Sequence, residues 1–251
     1  MSASLLPLGP AGAARTAEDF VDALRLTEGV PGSARPRIAA AMISAADGRA
    51  TVDGRSAPLG HPADTALLRE LRAGVDAILV GTGTLAAERY ANLLDDDQRA
   101  RRATRGLSPE PLVATIARSG RVPVDIPLFA EPNARIAVYT EAADAVIQGR
   151  GAQVDVHRFA TGASSPDAVL EHLAAERGVR CVLCEGGPTL LRALVAASCI
   201  DHLMLTLAPL LAGGGGPNVL ESEPLVPPAR LRLREVHRAD EHLFMHYVPQ
   251  P

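Results

Sequence analysis

The chain has 251 residues, of which 47 % are hydrophobic; that is enough to bury a sizeable core and excludes disorder as a description of the whole. Aromatic residues make up only 3 %, Trp is absent and the net charge is −4, which argues against a nucleic-acid partner because neither base stacking nor phosphate tracking is provided for. Three cysteines (Cys181, Cys184, Cys199), no basic segment ahead of the first apolar stretch and no apolar run of spanning length predict a cytoplasmic protein with no membrane partner.

Residues 1–36, rich in Ala, Gly and Pro with a helical patch at Ala17–Leu26, read as an N-terminal arm, and residues 37–251 as one domain. Apolar runs of strand length then alternate with amphipathic helices. The first strand, Ile38–Ser44, ends at an Asp47-Gly48 turn signal. Pro62 opens a helix in which Leu67, Leu68 and Leu71 share a face, and Gly74 stands at its stop. Ala77–Gly81 is a short continuous apolar strand of the kind covered on both faces. The charge run Asp95–Glu110 reads as a solvated loop or surface helix. Strands follow at Leu112–Ala117, Arg135–Thr140 and Val154–Phe159, then a helix over Pro166–Arg177, a strand at Val179–Cys184, a helix over Pro188–Ser198 and a strand at Leu203–Leu207. Leu231–Val236 and Leu243–Val248 have no helix between them, which predicts an antiparallel hairpin on one edge of a mostly parallel sheet.

Two glycine turns stand directly after predicted strands. In Glu185–Leu194, EGGPTLLRAL, the glycines let backbone approach a ligand and Pro188 suits a first helical turn. Its free N–H groups form either a pyrophosphate site at the positive end of a helix or an ordinary tight turn. Gly81–Thr84, GTGT, lacks the third glycine of the dinucleotide fingerprint, yet two such turns at strand C-termini are what a cofactor crevice across a sheet requires. Asp47 is either a buried carboxylate orienting ring nitrogens or the first residue of a turn. The glycine-rich segment Ala208–Asn218 covers a cofactor, meets another subunit or simply connects. Cys181 and Cys184 lie in a strand, where residues three apart face opposite ways, so packing is expected rather than redox chemistry. His242 and His246 are also in a strand, and no metal is expected there. Neither a G-x-S-x-G elbow nor a P-loop occurs.

The order strand-x-S-x-x-D-G, V-D-G-R-S, L-R-x-x-x-D-A-I-L-V-G-x-G-T, C-E-G-G-P-T-L-L and D-H-L-x-L-x-x-A-P resembles the reductase domain of the bifunctional riboflavin-biosynthesis deaminase–reductase and its free-standing relatives, from Arg37 to Val248. The resemblance implies an α/β, dihydrofolate-reductase-like three-layer fold with a mixed, mostly parallel central sheet and the antiparallel C-terminal hairpin. It implies an NADPH-dependent oxidoreductase, a homodimer, acting on a small heterocycle as 5-amino-6-(5-phosphoribosylamino)uracil reductases do. A dihydrofolate or pteridine reductase on the same scaffold and a catalytically silent nucleotide-binding dimer are the alternatives. Carried over by position, the resemblance implies a cofactor surface of Ser44, Ala45, Gly81, Thr82, Gly83, Thr84, Arg118, Ser119, Gly186, Gly187, Pro188, Thr189 and Leu190. It makes Asp47 and Glu185 the catalytic hydrogen-bonding groups, and Ser56, Arg72 and Glu88 substrate contacts. The chain also departs from the family. Ala41 stands where a Lys is common, and Pro58 replaces a Trp. The stretch matching a phosphate-holding Arg is Glu88–Asp97, whose three aspartates would repel a phosphate. The departures predict a weak hold on a substrate phosphate. The motifs of the family's zinc deaminase half, H-x-E and P-C-x-x-C, do not occur.

Overall fold

The computed structural model describes residues 4–7, 14–28, 30, 32–221 and 223–250. Parts of the expected arm, residues 1–3, 8–13, 29 and 31, lie outside the described residues. What is described of it supplies β1 (Ser4–Pro7), β2 (Arg15–Thr16) and α1 (Ala17–Ala23). Thr16 starts α1 with a reciprocal capping box to Asp19, and the helix buries Phe20 and Val21 against the sheet.

The strands and helices then follow the sequence pattern closely. They are β3 (Arg37–Ala45), α2 (Pro62–Ala73), β4 (Ala77–Leu79), α3 (Thr82–Glu88), α4 (Asp96–Thr104), β5 (Leu112–Ile116), β6 (Arg135–Thr140) and β7 (Gln153–Arg158). After them come α5 (Pro166–Arg177), β8 (Cys181–Cys184), α6 (Pro188–Ala196), β9 (His202–Ala208), β10 (Leu231–Ala239) and β11 (His242–Pro249). They form one sheet in the order β2-β1-β10-β11-β9-β3-β8-β4-β5-β6-β7. Every pairing from β9 across to β7 is parallel, and every pairing from β9 outward to β2 is antiparallel. The expected hairpin is present: β10 and β11 pair from Leu231↔Pro249 to Ala239↔His242, turning at Asp240 with a φ of 48°, a left-handed conformation that Asp tolerates.

Alternation along the inner strands builds the two outer layers. Ala39, Ile78 and Leu183 face Phe20, Leu67, Leu71 and Leu85 from α1, α2 and α3. Ile38, Ala40, Leu79 and Val182 face Val169, Leu173, Leu191 and Leu194 from α5 and α6. Each fully covered Leu contributes about 1.5–3 kcal/mol relative to exposure. Cys181 joins the first layer and Cys184 the second, as their spacing predicts. Burial pushes both thiols up to about 12.

The charge run forms a helix that is only partly solvated. Asp95 and Gln98 cap α4 reciprocally, while Arg102 turns inward. Its guanidinium donates to the carbonyls of Ser108, Arg72, Ala73 and Val75. A single arginine thus joins α4 to the end of α2 and the strand entry after it. Because β9, β3, β8, β4 and β5 run parallel, their C-terminal ends and the turns that follow gather on one rim of the sheet, where open α/β sheets place their ligands.

Candidate active site

On that rim the two glycine turns press against each other. Gly81 N–H donates to the Gly186 carbonyl at 2.8 Å. A Cβ on Gly81 would stand 3.0 Å from the Gly187 backbone nitrogen, and one on Gly187 would stand 2.9 Å from Thr84 Oγ1. Gly186 has a φ of 78°, which favours glycine independently. α6 then begins with Gly187 at its N-cap and no side chain capping it. The backbone N–H groups of its first turn therefore lack intrahelical acceptors, at the positive end of the helix.

A cavity of about 910 Å³ follows the rim. Its wall takes residues from five neighbouring strands or the turns after them, in the order β9, β3, β8, β4, β5, a width of about 19 Å at the usual strand spacing of about 4.8 Å. At the β5 end stand Arg118, Ser119 and Arg121. The turn carrying them needs Gly120, whose φ is 72° and whose place beside Ala145 leaves only 2.7 Å for a Cβ. Opposite, at the β9 and β3 end, Met204 and Thr206 pair with Ala41 and Ile43, and α2 closes over them with Asp64, Leu67, Leu68 and Leu71.

Between these ends lies a buried charged group. Arg72 donates from Nε and Nη2 to the two carboxylate oxygens of Glu185, each at 2.7 Å. The Tyr90 hydroxyl donates to the same carboxylate, and the guanidinium carbon sits 5.2 Å from the Tyr90 ring centre. Burial alone would weaken the charge on Arg72, but the adjacent Glu185 overrides it and the net effect holds Arg72 more firmly protonated. Burial, reinforced by Glu185, pushes the Tyr90 phenol well above its ordinary value. At neutral pH Arg72 is therefore held charged and the Tyr90 phenol neutral.

The structure brings most of the residues singled out by sequence to this cavity. Gly81, Thr82, Gly83, Thr84, Arg118, Ser119, Gly187, Pro188, Thr189 and Leu190 line it. Glu185, Ser56 and Glu88 line it too, and Glu88 Oε1 accepts the Ser56 N–H at 2.7 Å. Others do not reach the wall. Ser44 and Ala45 are buried in the end of β3, paired with Leu207 and Ala208, and Gly186 supports the turn from behind. Arg72 stands behind Glu185 rather than on the wall. Asp47 is exposed and outside the cavity, where its Oδ2 accepts the Gly213 N–H at 2.6 Å; that bond above all holds its carboxyl below the usual range.

This contact ties the glycine-rich segment to the turn after β3. The Ala50 N–H donates to the Pro217 carbonyl at 2.8 Å, the Arg49 guanidinium donates to the Gly216 carbonyl, and Pro217 reaches the cavity wall. The aspartates expected to repel a phosphate sit elsewhere: Asp95 caps α4, and none of Asp95, Asp96 and Asp97 lines the cavity. Among the wall residues that sequence reasoning passed over are Asp64, Tyr90 and Thr206. Asp64 reads as an ordinary acid in a first helical turn, Thr206 as a strand β-branch and Tyr90 as part of a loop.

The profile of the RibD C-terminal domain matches residues 36–245. The "2,5-diamino-6-ribosylamino-4(3H)-pyrimidinone 5′-phosphate reductase" of Archaeoglobus fulgidus is 26 % identical over 211 residues, covering 82 % of this chain and 95 % of that protein. The "Riboflavin biosynthesis protein RibD" of Mycobacterium tuberculosis is 33 % identical over 181 residues, 71 % of this chain but 44 % of that protein. Among solved structures, a pyrimidine reductase-like protein from Corynebacterium diphtheriae superposes with a TM-score of 0.77 at 23 % identity, over 94 % of this chain and 100 % of that one. A deaminase/5-amino-6-(5-phosphoribosylamino)uracil reductase from Thermotoga maritima gives 0.67 at 22 % identity, over 86 % and 57 %. The two structures share the fold, and the profile match over most of the length makes the chain a member of the RibD C-terminal domain family.

Proposed function

We propose that this oxidoreductase uses NADPH to reduce a ribosylamino-pyrimidine 5′-phosphate in riboflavin biosynthesis. The observation that carries the reading is the continuous cavity that joins two glycine turns to an apolar chamber. It occurs in a chain that aligns with nearly the full length of a free-standing relative bearing that activity in its name.

The residues present fit a nicotinamide dinucleotide. Gly83 leaves open space where a Cβ would stand, and the absence of a Cβ at Gly81 and Gly187 lets the two turns lie against each other. The uncapped N–H groups at Thr189 and Leu190 would hold the pyrophosphate. Arg118 and Arg121 would meet a 2′-phosphate, the group that separates NADPH from NADH. When bound, the cofactor supplies a hydride to an electron-poor carbon.

The chain's own part is to align and to exclude water. Leu67, Leu68, Leu71 and Met204 make the chamber apolar. Glu185, fixed by Arg72 and Tyr90, presents one invariable carboxylate at the boundary between turns and chamber. The cations on the wall are Arg118 and Arg121, both at the cofactor end. All 25 basic side chains of the protein are Arg, and none lines the chamber. A substrate phosphate would therefore meet no cation in the chamber, and beside Ser56 it would meet the Glu88 carboxylate, which supports the weak hold expected from Ala41.

Three buried free cysteines support a reducing, cytoplasmic setting. The exposed Leu231 and Leu233 on a stretch of β10 beyond its pairing with β1 support a homodimer contact. The deciding assay follows NADPH absorbance with each of two substrates, 5-amino-6-(5-phosphoribosylamino)uracil and its 2-amino counterpart, and with dihydrofolate as control. Oxidation with a pyrimidine phosphate and none with dihydrofolate is expected; silence with both pyrimidines would overturn the reading.

A further inference from the structure

Arg118 and Ser119 reach the cavity wall from the turn after β5, and Pro166 reaches it from the start of α5. A side chain outside the wall joins the two. Glu141 directly follows β6, which lies between β5 and β7 in the sheet, and its side chain is 13 % exposed. Its Oε1 accepts the Ser164 N–H at 3.1 Å and the Ser164 hydroxyl at 2.5 Å, and the carboxylate also accepts the Gly162 N–H. These bonds fasten the turn between β7 and α5. Led by that of Gly162, they hold the carboxyl below its usual range, so it is ionised at neutral pH. Toward β5 the same residue holds Arg118 at both ends. The Glu141 N–H donates to the Arg118 carbonyl at 3.1 Å, joined there by the Thr140 hydroxyl at 3.3 Å, and the carboxylate faces Arg118 Nε from 3.8 Å.

We infer that Glu141 is a positioning residue for the adenosine end of the cofactor: it fastens the turns after β5, β6 and β7 to one another and holds Arg118 with its outer nitrogens free for the 2′-phosphate of NADPH. This rests on the reading that the protein uses NADPH and that Arg118 meets that phosphate. A guanidinium carries its N–H donors in a rigid fork. A carboxylate on the Nε side leaves the donors of the two outer nitrogens for another acceptor, and parallel N–H bonds from such a fork suit a phosphate. The Arg118 side chain is 63 % exposed, so packing alone does not order it. Without Glu141 the ligand would have to order it on binding, which weakens affinity. Glu141 itself stands off the cavity wall, with Gly162, Ser164 and Arg118 facing its charge, so it acts through Arg118 and the turns rather than by contact.

The test measures calorimetric binding of 2′,5′-ADP, which carries the extra phosphate, and of 5′-AMP, which lacks it. The wild-type protein should favour 2′,5′-ADP by about tenfold or more, the scale of a charged hydrogen bond. Glu141→Ala should lower that ratio about fivefold, the effect of leaving one long side chain to be ordered by the ligand. Glu141→Gln keeps an acceptor for Gly162 and Ser164 but loses the charge, and should fall between the two. In an Arg118→Ala background Glu141→Ala should lower the ratio no further, a result that general loosening of the fold would not give. Ser164→Ala removes one fastening bond; it should lower the ratio by about twofold, and it serves if Glu141→Ala does not fold. An undiminished ratio in the folded variants, or an equal fall with and without Arg118, would overturn the role of Glu141 and leave the cofactor reading standing. If Arg118→Ala keeps the full ratio, or the wild type binds both nucleotides alike, the 2′-phosphate reading fails and the inference fails with it.

Discussion

Alanine at Gly81 and at Gly187 should injure the protein through different obstacles, and the difference can be measured. Both glycines have ordinary φ values, −70° and −72°, so alanine is conformationally permitted and the effect is one of space alone. At Gly81 the new methyl would stand 3.0 Å from the Gly187 backbone nitrogen; at Gly187 it would stand 2.9 Å from the Thr84 hydroxyl. Such contacts are relieved only by moving atoms, at about 1–3 kcal/mol for an added carbon in a packed site. In a domain of this size that is roughly a 2–4 °C fall in Tm per kcal/mol. A backbone nitrogen cannot rotate away, so Gly81→Ala must part the two turns, and NADPH should bind at least about tenfold more weakly if the turns hold its pyrophosphate. A hydroxyl can be removed. Combining Gly187→Ala with Thr84→Ala should therefore recover about 1 kcal/mol or more of the loss, the coupling expected of touching groups, whereas Thr84→Ala should not rescue Gly81→Ala. Thermal scans and NADPH titration of the single and combined variants decide the matter. A Gly81→Ala protein with unchanged Tm and unchanged NADPH affinity would show that the close approach of the turns is irrelevant to either.

Arg72→Leu should destabilise the fold by about 3–5 kcal/mol, because it strands a buried carboxylate; a denaturation midpoint close to wild type would show that Glu185 is satisfied without it. His246 is held down to about 4 by burial and then by His202, whose Nδ1 is 2.9 Å away. Below pH 6.5 the unfolded chain takes up that proton first, so stability should fall by roughly 2–3 kcal/mol between pH 6.5 and pH 4, and His246→Gln should flatten that limb of a urea-melt series. Arg121→Ala, alone or with Arg118→Ala, should cut the preference for NADPH over NADH about tenfold or more, with NADH kinetics little altered; an equal loss with both cofactors would place the 2′-phosphate elsewhere.

What the sequence revealed follows from what is local in it. Unbroken apolar runs such as Ala77–Leu79 and Cys181–Cys184 can only be strands covered on both faces, and the missing helix between β10 and β11 leaves a hairpin as the short connection. The glycine turns were visible because Gly and Pro directly after an apolar run stop the strand and open a helix. The wall of the chamber was not visible, because its pairs are distant in the chain. Asp64 and Thr206 are 142 residues apart, and each has a sufficient local reason: an acid suits the first turn of α2, and a β-branch suits a strand. Arg72 and Glu185, 113 residues apart, were each marked as functional, but their partnership was not legible in the chain. Arg102 sits in a run that composition reads as solvated, and only tertiary packing shows its guanidinium turned onto four carbonyls.

The charges along the cavity also bear on which way a ligand lies in it. Glu185 and Arg72 cancel at the centre, leaving two uncancelled ends. At the β5 end Arg118 is loosely matched by Glu141 at 3.8 Å, with its side chain 63 % exposed, and Arg121 adds a second cation; the uncapped start of α6 contributes positive potential between them and the centre. At the β9 end stands Asp64, and Glu88 beside Ser56 is a second wall carboxylate with no cation paired to it among the described residues. A dinucleotide carries its negative charge on phosphates, and a pyrimidine ring offers N–H donors, so the gradient favours phosphates toward the arginines and the heterocycle toward the carboxylate. In the reverse orientation a phosphate would face Asp64 in an apolar chamber, where repulsion between like charges is least screened. Polarity rather than shape would then fix the orientation.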